Sequence, residues 1–366
     1  MNKTAFVAFY TVYPSNMGSS EVSSSFFETW SGEKRIFQIS HLKKINNKKI
    51  YTCFIKKETP FYKISKIFEL TIQVKKYFYN SKNSNIIIEG PSWIGYSFIF
   101  FILSKIFLSK TFFIYHSHSI EYEIRKNNSN FLISWLTRIM ENYIFNNVNI
   151  ATSVSLKERI KIKKLYNKKT VLLPNGIFLN KLKSKKKIVS FPKRYIFYSG
   201  SYLYKPNKHA IDLLNQFFMP RLIKKFPDLK LVLTGGGYQQ NYKWLVNLNI
   251  VNKNYLIQLL KKSQLILVPI YEGYGTRVKI IEALMLGVPV ISTPTGIDGI
   301  KYKQKGFNTP LVNMDKRKLL KYAEKVLKNI KYYKVNSNLM KKKFIFLYSM
   351  ENITKKFQQE LTKNDN

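Results

Sequence analysis

The chain has a single cysteine, Cys53, among its 366 residues, so no disulfide can form within it. That suits a reducing, cytoplasmic compartment, where the fold rests on burial and hydrogen bonding. Acidic residues are scarce too: 20 Asp and Glu stand against 62 Lys and Arg, a formal net charge of +42. Only eight of those basic residues are arginine. There is no zinc-finger spacing, RNP sequence or arginine-rich arm, and the lysines are spread along the chain, so no nucleic-acid partner is expected. Two accounts of the excess charge stay open. Lys, Asn and Ile are residues that an AT-rich genome encodes, and a basic surface is also drawn to anionic lipid headgroups, by about 1 kcal/mol per basic residue held near them. Runs of the roughly 20 apolar residues that span a bilayer are absent. The nearest, residues 94–108 (IGYSFIFFILSKIFL), is interrupted by Lys105 and reads as a buried or membrane-surface helix. The opening MNKTAFVAFYTVYP has no small-residue cleavage site and reads as a first strand rather than a signal peptide.

What is present is ample apolar material, 45% hydrophobic and 15% aromatic, in a length that suits two domains of about 100–200 residues. Strand and helix signals alternate throughout. Residues 5–12 read as a strand, followed by a small-residue turn with Gly18, Ser19 and Ser20 and a helix near 22–30. Those three residues either cap the helix or let a ligand approach its backbone. The strand over 85–89 ends in Glu89-Gly90-Pro91, and the strand over 111–115 runs into His116-Ser117-His118-Ser119-Ile120-Glu121. His-x-His with no third ligand close in sequence argues against a metal. His118, at a strand's C-terminal end, is a candidate catalytic or substrate-contact residue. Pro174-Asn175-Gly176 closes the first α/β set, and the lysine-rich run 181–187 reads as a solvated linker. The expected parts are 1–180, 188–345 and a terminal helix 346–366.

The most informative stretch is 271–300, YEGYGTRVKIIEALMLGVPVISTPTGIDGI. An apolar strand over 265–270 leads into a glycine turn, then a helix over 278–286, a stop at Gly287 and a second strand over 288–292. This is a βαβ unit, whose helix N-terminus presents unpaired N–H groups and suits a phosphate. Thr276, Arg277 and Lys279 are placed to reinforce that anion site.

The stretch from Gly273 to Ile300 resembles the donor-binding signature of GT-B-fold glycosyltransferases, in particular the retaining, family-four-like glycosyl transferases group 1. FYSGSYLYKPNKHAI resembles the start of that group's second domain, VLLPNGI the end of its first, and HSIE its His-Asn-x-Glu motif with Ser119 in place of Asn. The resemblance implies an α/β architecture of two doubly wound Rossmann-like domains facing each other across a cleft, the C-terminal helix packing back on the N-terminal domain. It implies that Arg277 and Lys279 neutralise the diphosphate of a nucleotide-sugar donor, a UDP- or GDP-sugar, and that Glu282 holds the ribose hydroxyls. Gly200, Ser201, Gly275 and Thr276 would line the diphosphate and sugar, Gly18 and Ser19 would border the donor or acceptor, and His118 would touch the transferred sugar. Beyond the donor, no cofactor and no metal are implied, since the chain has no Asp-x-Asp. One position departs from the family: the acid eight places before Glu282 is replaced by Tyr274, and the nearest acid, Glu272, is ten before. The expected activity is sugar transfer to a glycan acceptor, such as a lipid-linked surface-polysaccharide precursor, at the inner face of the membrane. The rival readings are a sugar-nucleotide epimerase on the same fold and a non-enzymatic basic protein that binds nucleic acid or membrane.

Overall fold

The computed structural model describes every residue except 1, 16, 43–46, 58, 82, 109, 184–190, 274, 303–309 and 365–366. The chain divides into two units: Met1–Asn175 with Ile353–Asn366, and Gly176–Asn352. The break falls at Asn175, ahead of the lysine run, of which 184–187 lie outside the described residues. The third expected part is divided as well, because only its residues from Ile353 onward belong to the first unit.

The first unit is built on a parallel sheet of β1 (Asn2–Ala8), β2 (Glu33–Ser40), β3 (Ile50–Phe54), β4 (Asn83–Glu89), β5 (Thr111–His116), β6 (Ile150–Ser153) and β7 (Val171–Leu172). Their order is β3-β2-β1-β4-β5-β6-β7. The connections are α1 (Gly18–Thr29), α2 (Pro60–Tyr77), α3 (Ile94–Phe107), α4 (Glu121–Asn128), α5 (Phe131–Asn147) and α6 (Leu156–Tyr166). Because helices cover both faces, the central strands are apolar on both sides, and Ala5, Phe6, Val7 and Ala8 are all fully buried. Phe6 meets Phe26, Phe27 and Trp30 edge-on at 5.4, 5.3 and 5.7 Å. The end of the chain joins this cluster: Phe357 lies 6.1 Å from Phe26, and Thr354 bonds Thr29 at 2.7 Å. The apolar run over 94–108 is largely interior, with Ile94, Phe100 and Phe101 fully buried.

The second unit repeats the plan with β8 (Tyr195–Ser199), β9 (Lys230–Thr234), β10 (Leu245–Asn247), β11 (Leu265–Val268), β12 (Val290–Ser292) and β13 (Leu311–Val312), in the order β10-β9-β8-β11-β12-β13. Its helices are α7 (Lys205–Leu213), α8 (Met219–Leu222), α9 (Lys253–Lys262), α10 (Val278–Leu286), α11 (Lys316–Lys328), α12 (Ile330–Tyr348) and the start of α13 (Met350–Asn364). Residues 214–218 join α7 to α8 through a π-turn just ahead of Pro220, whose ring and missing N–H break the regular ladder. Gly287 ends α10 at φ 73°, a left-handed position that costs a side chain energy and glycine very little.

Both sheets are doubly wound, with the strand order reversing between β1 and β4 and between β8 and β11. In such sheets the crevice outside the strand C-termini at the reversal is where ligands bind. The side chains singled out in the sequence cluster at these two places.

Candidate active site

In the first unit, β4 ends at Glu89 and β5 at His116, paired in register. Glu89 is fully buried. Its Oε2 accepts from Ser23 Oγ at 2.5 Å, His116 Nδ1 at 3.1 Å and His118 Nε2 at 3.0 Å. Ser23 lies on the inner side of α1, which is lined by Ser20, Ser23, Ser24 and Ser25. Small side chains let that helix come close to the strand ends, and Tyr10 completes the group with its hydroxyl 2.6 Å from Ser23 Oγ. Gly18 and Ser19 open the same helix, whose N-cap, Met17, supplies no side-chain hydrogen bond. Their backbone is thus at a helix N-terminus, beside this cluster.

Burial would raise the Glu89 carboxyl, but His116 and then His118 outweigh it and hold the group well below the usual carboxylate range. Burial, reinforced by His116, pushes His118 down to about 4 against the pull of Glu89. At neutral pH the pair is therefore an ionised carboxylate and a neutral imidazole. A carboxylate only accepts, so His118 carries its proton on Nε2 and keeps a lone pair on Nδ1. The sequence spacing of the two histidines did not reveal this third member. Glu89, His116 and His118 each bring one ligand-type atom within 4.8 Å of the others, an arrangement that can hold a metal ion. Against that use, Oε2 is already the acceptor of three hydrogen bonds, and a metal would displace the ring protons that make two of them.

The next segment is fixed by another buried acid. Glu141 accepts from the N–H groups of Glu121 and Tyr122 at 2.7 and 3.1 Å, capping α4, and from Tyr166 Oη at 2.6 Å. Burial pushes its carboxyl up to about 7.

In the second unit the glycine turn folds around the guanidinium of Arg277, the N-cap of α10. Its Nη1 donates to the Gly275 carbonyl at 2.9 Å and its Nη2 to the Glu272 carbonyl at 3.3 Å. A Cβ on Gly273 (φ 106°) would stand 2.7 Å from Nη2, so a side chain there would expel the guanidinium. Lys279, one turn into the helix, donates to Asn207 Oδ1 at 3.0 Å and lies 4.0 Å over the Tyr198 ring. Asn207 also accepts from Tyr198 Oη and donates to the Ser201 carbonyl, tying α7 to the turn that carries Gly200 and Ser201. Burial, and next the charge of Arg277, pushes Lys279 down to about 7, opposed by Glu282. Thr276 is half-buried beside Arg277, and α10 has no side-chain N-cap.

Two acids in this unit have partners that sequence reasoning missed. Glu282 is buried on α10 and ion-paired with Lys253 of α9. Glu272 pairs with His209 Nδ1 at 2.6 Å and Lys205 Nζ at 3.5 Å, both from α7. Tyr274, which takes the family acid's place, lies outside the described residues.

Residues 193–329 match the family described as glycosyl transferases group 1. The whole chain also superposes on solved structures of low sequence identity. Sucrose-phosphate synthase from Thermosynechococcus elongatus matches at a TM-score of 0.72 and 15% identity, covering 99% of each chain. HepE from Anabaena, solved with UDP-glucose, matches at 0.68 and 12%, covering 98% of this chain and 99% of that one. WaaG, described as a glycosyltransferase involved in lipopolysaccharide biosynthesis, matches at 0.67 and 13%, covering 96% and 98%. No curated protein matches the chain in sequence. The chain thus has the GT-B fold of these structures, and its residues 193–329 match glycosyl transferases group 1.

Proposed function

We propose that the protein transfers a sugar from a nucleoside-diphosphate donor to a glycan acceptor, with the donor diphosphate held by Arg277, Lys279 and the first turn of α10. The carrying observation is the pair of desolvated cations at an uncapped helix N-terminus, oriented by carbonyl and amide oxygens. The leaving diphosphate gains charge as the glycosidic bond breaks, and cations already in position lower that barrier without reorganisation. HepE structures with UDP and UDP-glucose support a uridine donor over a guanosine one. Glu282 reaches the ribose only by sharing its charge with Lys253. In the first unit, Nδ1 of neutral His118 is an acceptor for a hydroxyl of the transferred sugar, held in place by Glu89.

We further propose a lipid-linked acceptor, a cytoplasmic site at the inner face of the membrane, and retention of configuration, on the strength of the sequence resemblance and the basic charge. No metal takes part in this scheme. Thermal shift with UDP, GDP and CMP, each with and without EDTA, tests the donor half. UDP should raise the melting temperature, EDTA should leave the shift unchanged, and no shift with any nucleotide would refute the reading. An epimerase would consume the UDP-sugar with no acceptor present.

Lys279 makes donor affinity depend on pH. Its depressed pKa means the cation is present below about 7 and lost above it. The dissociation constant for UDP should therefore rise about tenfold between pH 6.5 and 8.5, while Lys279→Arg, charged throughout, should show a flat profile by titration calorimetry.

A further inference from the structure

Over its first turns helix α5 is amphipathic the wrong way round for a helix in water, and only toward its end does it bury apolar side chains, Ile144 and Phe145. Its buried side begins with Ser134, Thr137 and Glu141, while Phe131 is 85% exposed, Leu132 59% and Trp135 49%. Leu136 and Ile139 are exposed as well. A globular helix normally turns its apolar stripe inward. Here the interior fixes the opposite register. Glu141 must face inward to cap α4 and meet Tyr166, and Thr137 accepts from Trp93 Nε1 at 3.3 Å. With 3.6 residues per turn those contacts leave Phe131, Leu132, Trp135 and Leu136 no way in.

The apolar surface continues beyond α5. Phe98 of α3 meets Tyr143 of α5 at 5.4 Å, and Phe107 of α3 meets Phe68 of α2 at 6.1 Å. Phe61, 77% exposed, and Ile64 and Phe68 extend it along α2. Monomeric proteins rarely leave so large an apolar face uncovered. Its charge indicates what covers it. The acid of α5, Glu141, is buried, Arg138 is exposed, and Lys63, Lys75 and Lys105 stand over the rings of Tyr96, Phe107 and Phe101. The chain as a whole carries +42.

We infer that the face made by α5 and the exposed sides of α2 and α3 docks on an anionic phospholipid surface. Phe131, Leu132, Trp135 and Leu136 enter the headgroup–acyl boundary, and the flanking cations meet lipid phosphates. No helix among the described residues is long and apolar enough to cross a membrane, so attachment by this face is interfacial. The inference deepens the membrane part of the proposed function, but it rests on α5 and not on the donor chemistry.

The experiment is sedimentation with vesicles of phosphatidylcholine, with and without phosphatidylglycerol, for wild type and for Leu132→Asp with Trp135→Ser. Wild type should bind the anionic vesicles and release in high salt, and the double variant should bind about tenfold or more weakly. UDP binding by the variant should equal that of wild type. Quenching of Trp135 by brominated lipid, lost in Trp135→Phe, gives the same reading should the double variant fold poorly. Three results would each overturn the inference: no vesicle binding by wild type, undiminished binding by the variant, or a wild-type dimer that the variant turns to monomer. Vesicle binding without any UDP shift would sink the donor reading and leave the docking face standing.

Discussion

Alanine at either Arg277 or Lys279 should lower donor turnover by about a hundredfold or more, the usual cost of removing one preorganised donor from a developing anion. The two losses should not simply add, since each charge desolvates and repels the other, and Arg277 is second only to burial in depressing Lys279. The variants should also differ in stability. Lys279 is protonated in the unfolded chain at neutral pH but titrates near 7 when folded, so keeping its charge costs the empty protein stability. Lys279→Met should therefore melt higher than wild type without nucleotide and gain nothing from UDP. Arg277→Ala instead removes the group around which the turn from Glu272 to Gly275 is bonded, and it should melt lower. Initial rates with a radiolabelled donor, alongside calorimetric melts, separate these outcomes. Full activity in both variants would end the diphosphate assignment.

Glu89→Ala should be among the most destabilising single changes in the first unit. It leaves Ser23 Oγ, His116 Nδ1 and His118 Nε2 buried without their acceptor. At about 1–3 kcal/mol per orphaned group, partly relaxed, the loss should come to about 3–5 kcal/mol in urea unfolding. Glu89→Gln, which keeps one oxygen, should lose less. The cluster also gives the unit an acid limb. The folded pKa of His118 lies below its ordinary 6.5, so between about 6.5 and about 4 the unfolded chain binds the extra proton and stability falls as pH drops. Glu89, whose carboxyl is also depressed, loses its contribution in the same direction as it protonates. His118→Asn should flatten the upper part of that limb.

Much of this was legible from residue order. The span of α10 and its stop at Gly287 match the structure because apolar spacing and a left-handed glycine are local signals. Strands β1, β4, β5, β11 and β12 were legible for a similar reason, being short apolar runs next to turn residues. Helix α12 was not read from the sequence: its inner stripe runs Tyr333, Ser337, Met340, Phe344, Tyr348, and two tyrosines and a serine do not look apolar among so many lysines. The short helix α4 was missed because its cap, Glu141, comes from the following helix rather than from its own flank. On the site, Arg277 and Lys279 carried a motif, whereas Asn207, Lys253 and His209 sit next to it only after folding. Glu89 was visible as the end of a strand, but its bond to two histidines 27 and 29 residues later depends on the register of β4 against β5. The apolar face of α5 was hidden because its length and composition pass for an ordinary buried helix.

The placing of Phe357 against Phe26 and Trp30 has a consequence for how the molecule is made. Synthesis proceeds from the N-terminus, so the seven strands of the first sheet leave the ribosome well before the segment that covers α1. At roughly 5–20 residues per second, the intervening chain takes roughly 10–35 s to emerge. Throughout that interval an aromatic cluster beneath α1 waits with one side bare, while the second unit can close on itself first. A nascent chain of this protein thus finishes its earliest part last, and a stop codon shortly before Ile353 would harm the half of the protein furthest from it in sequence.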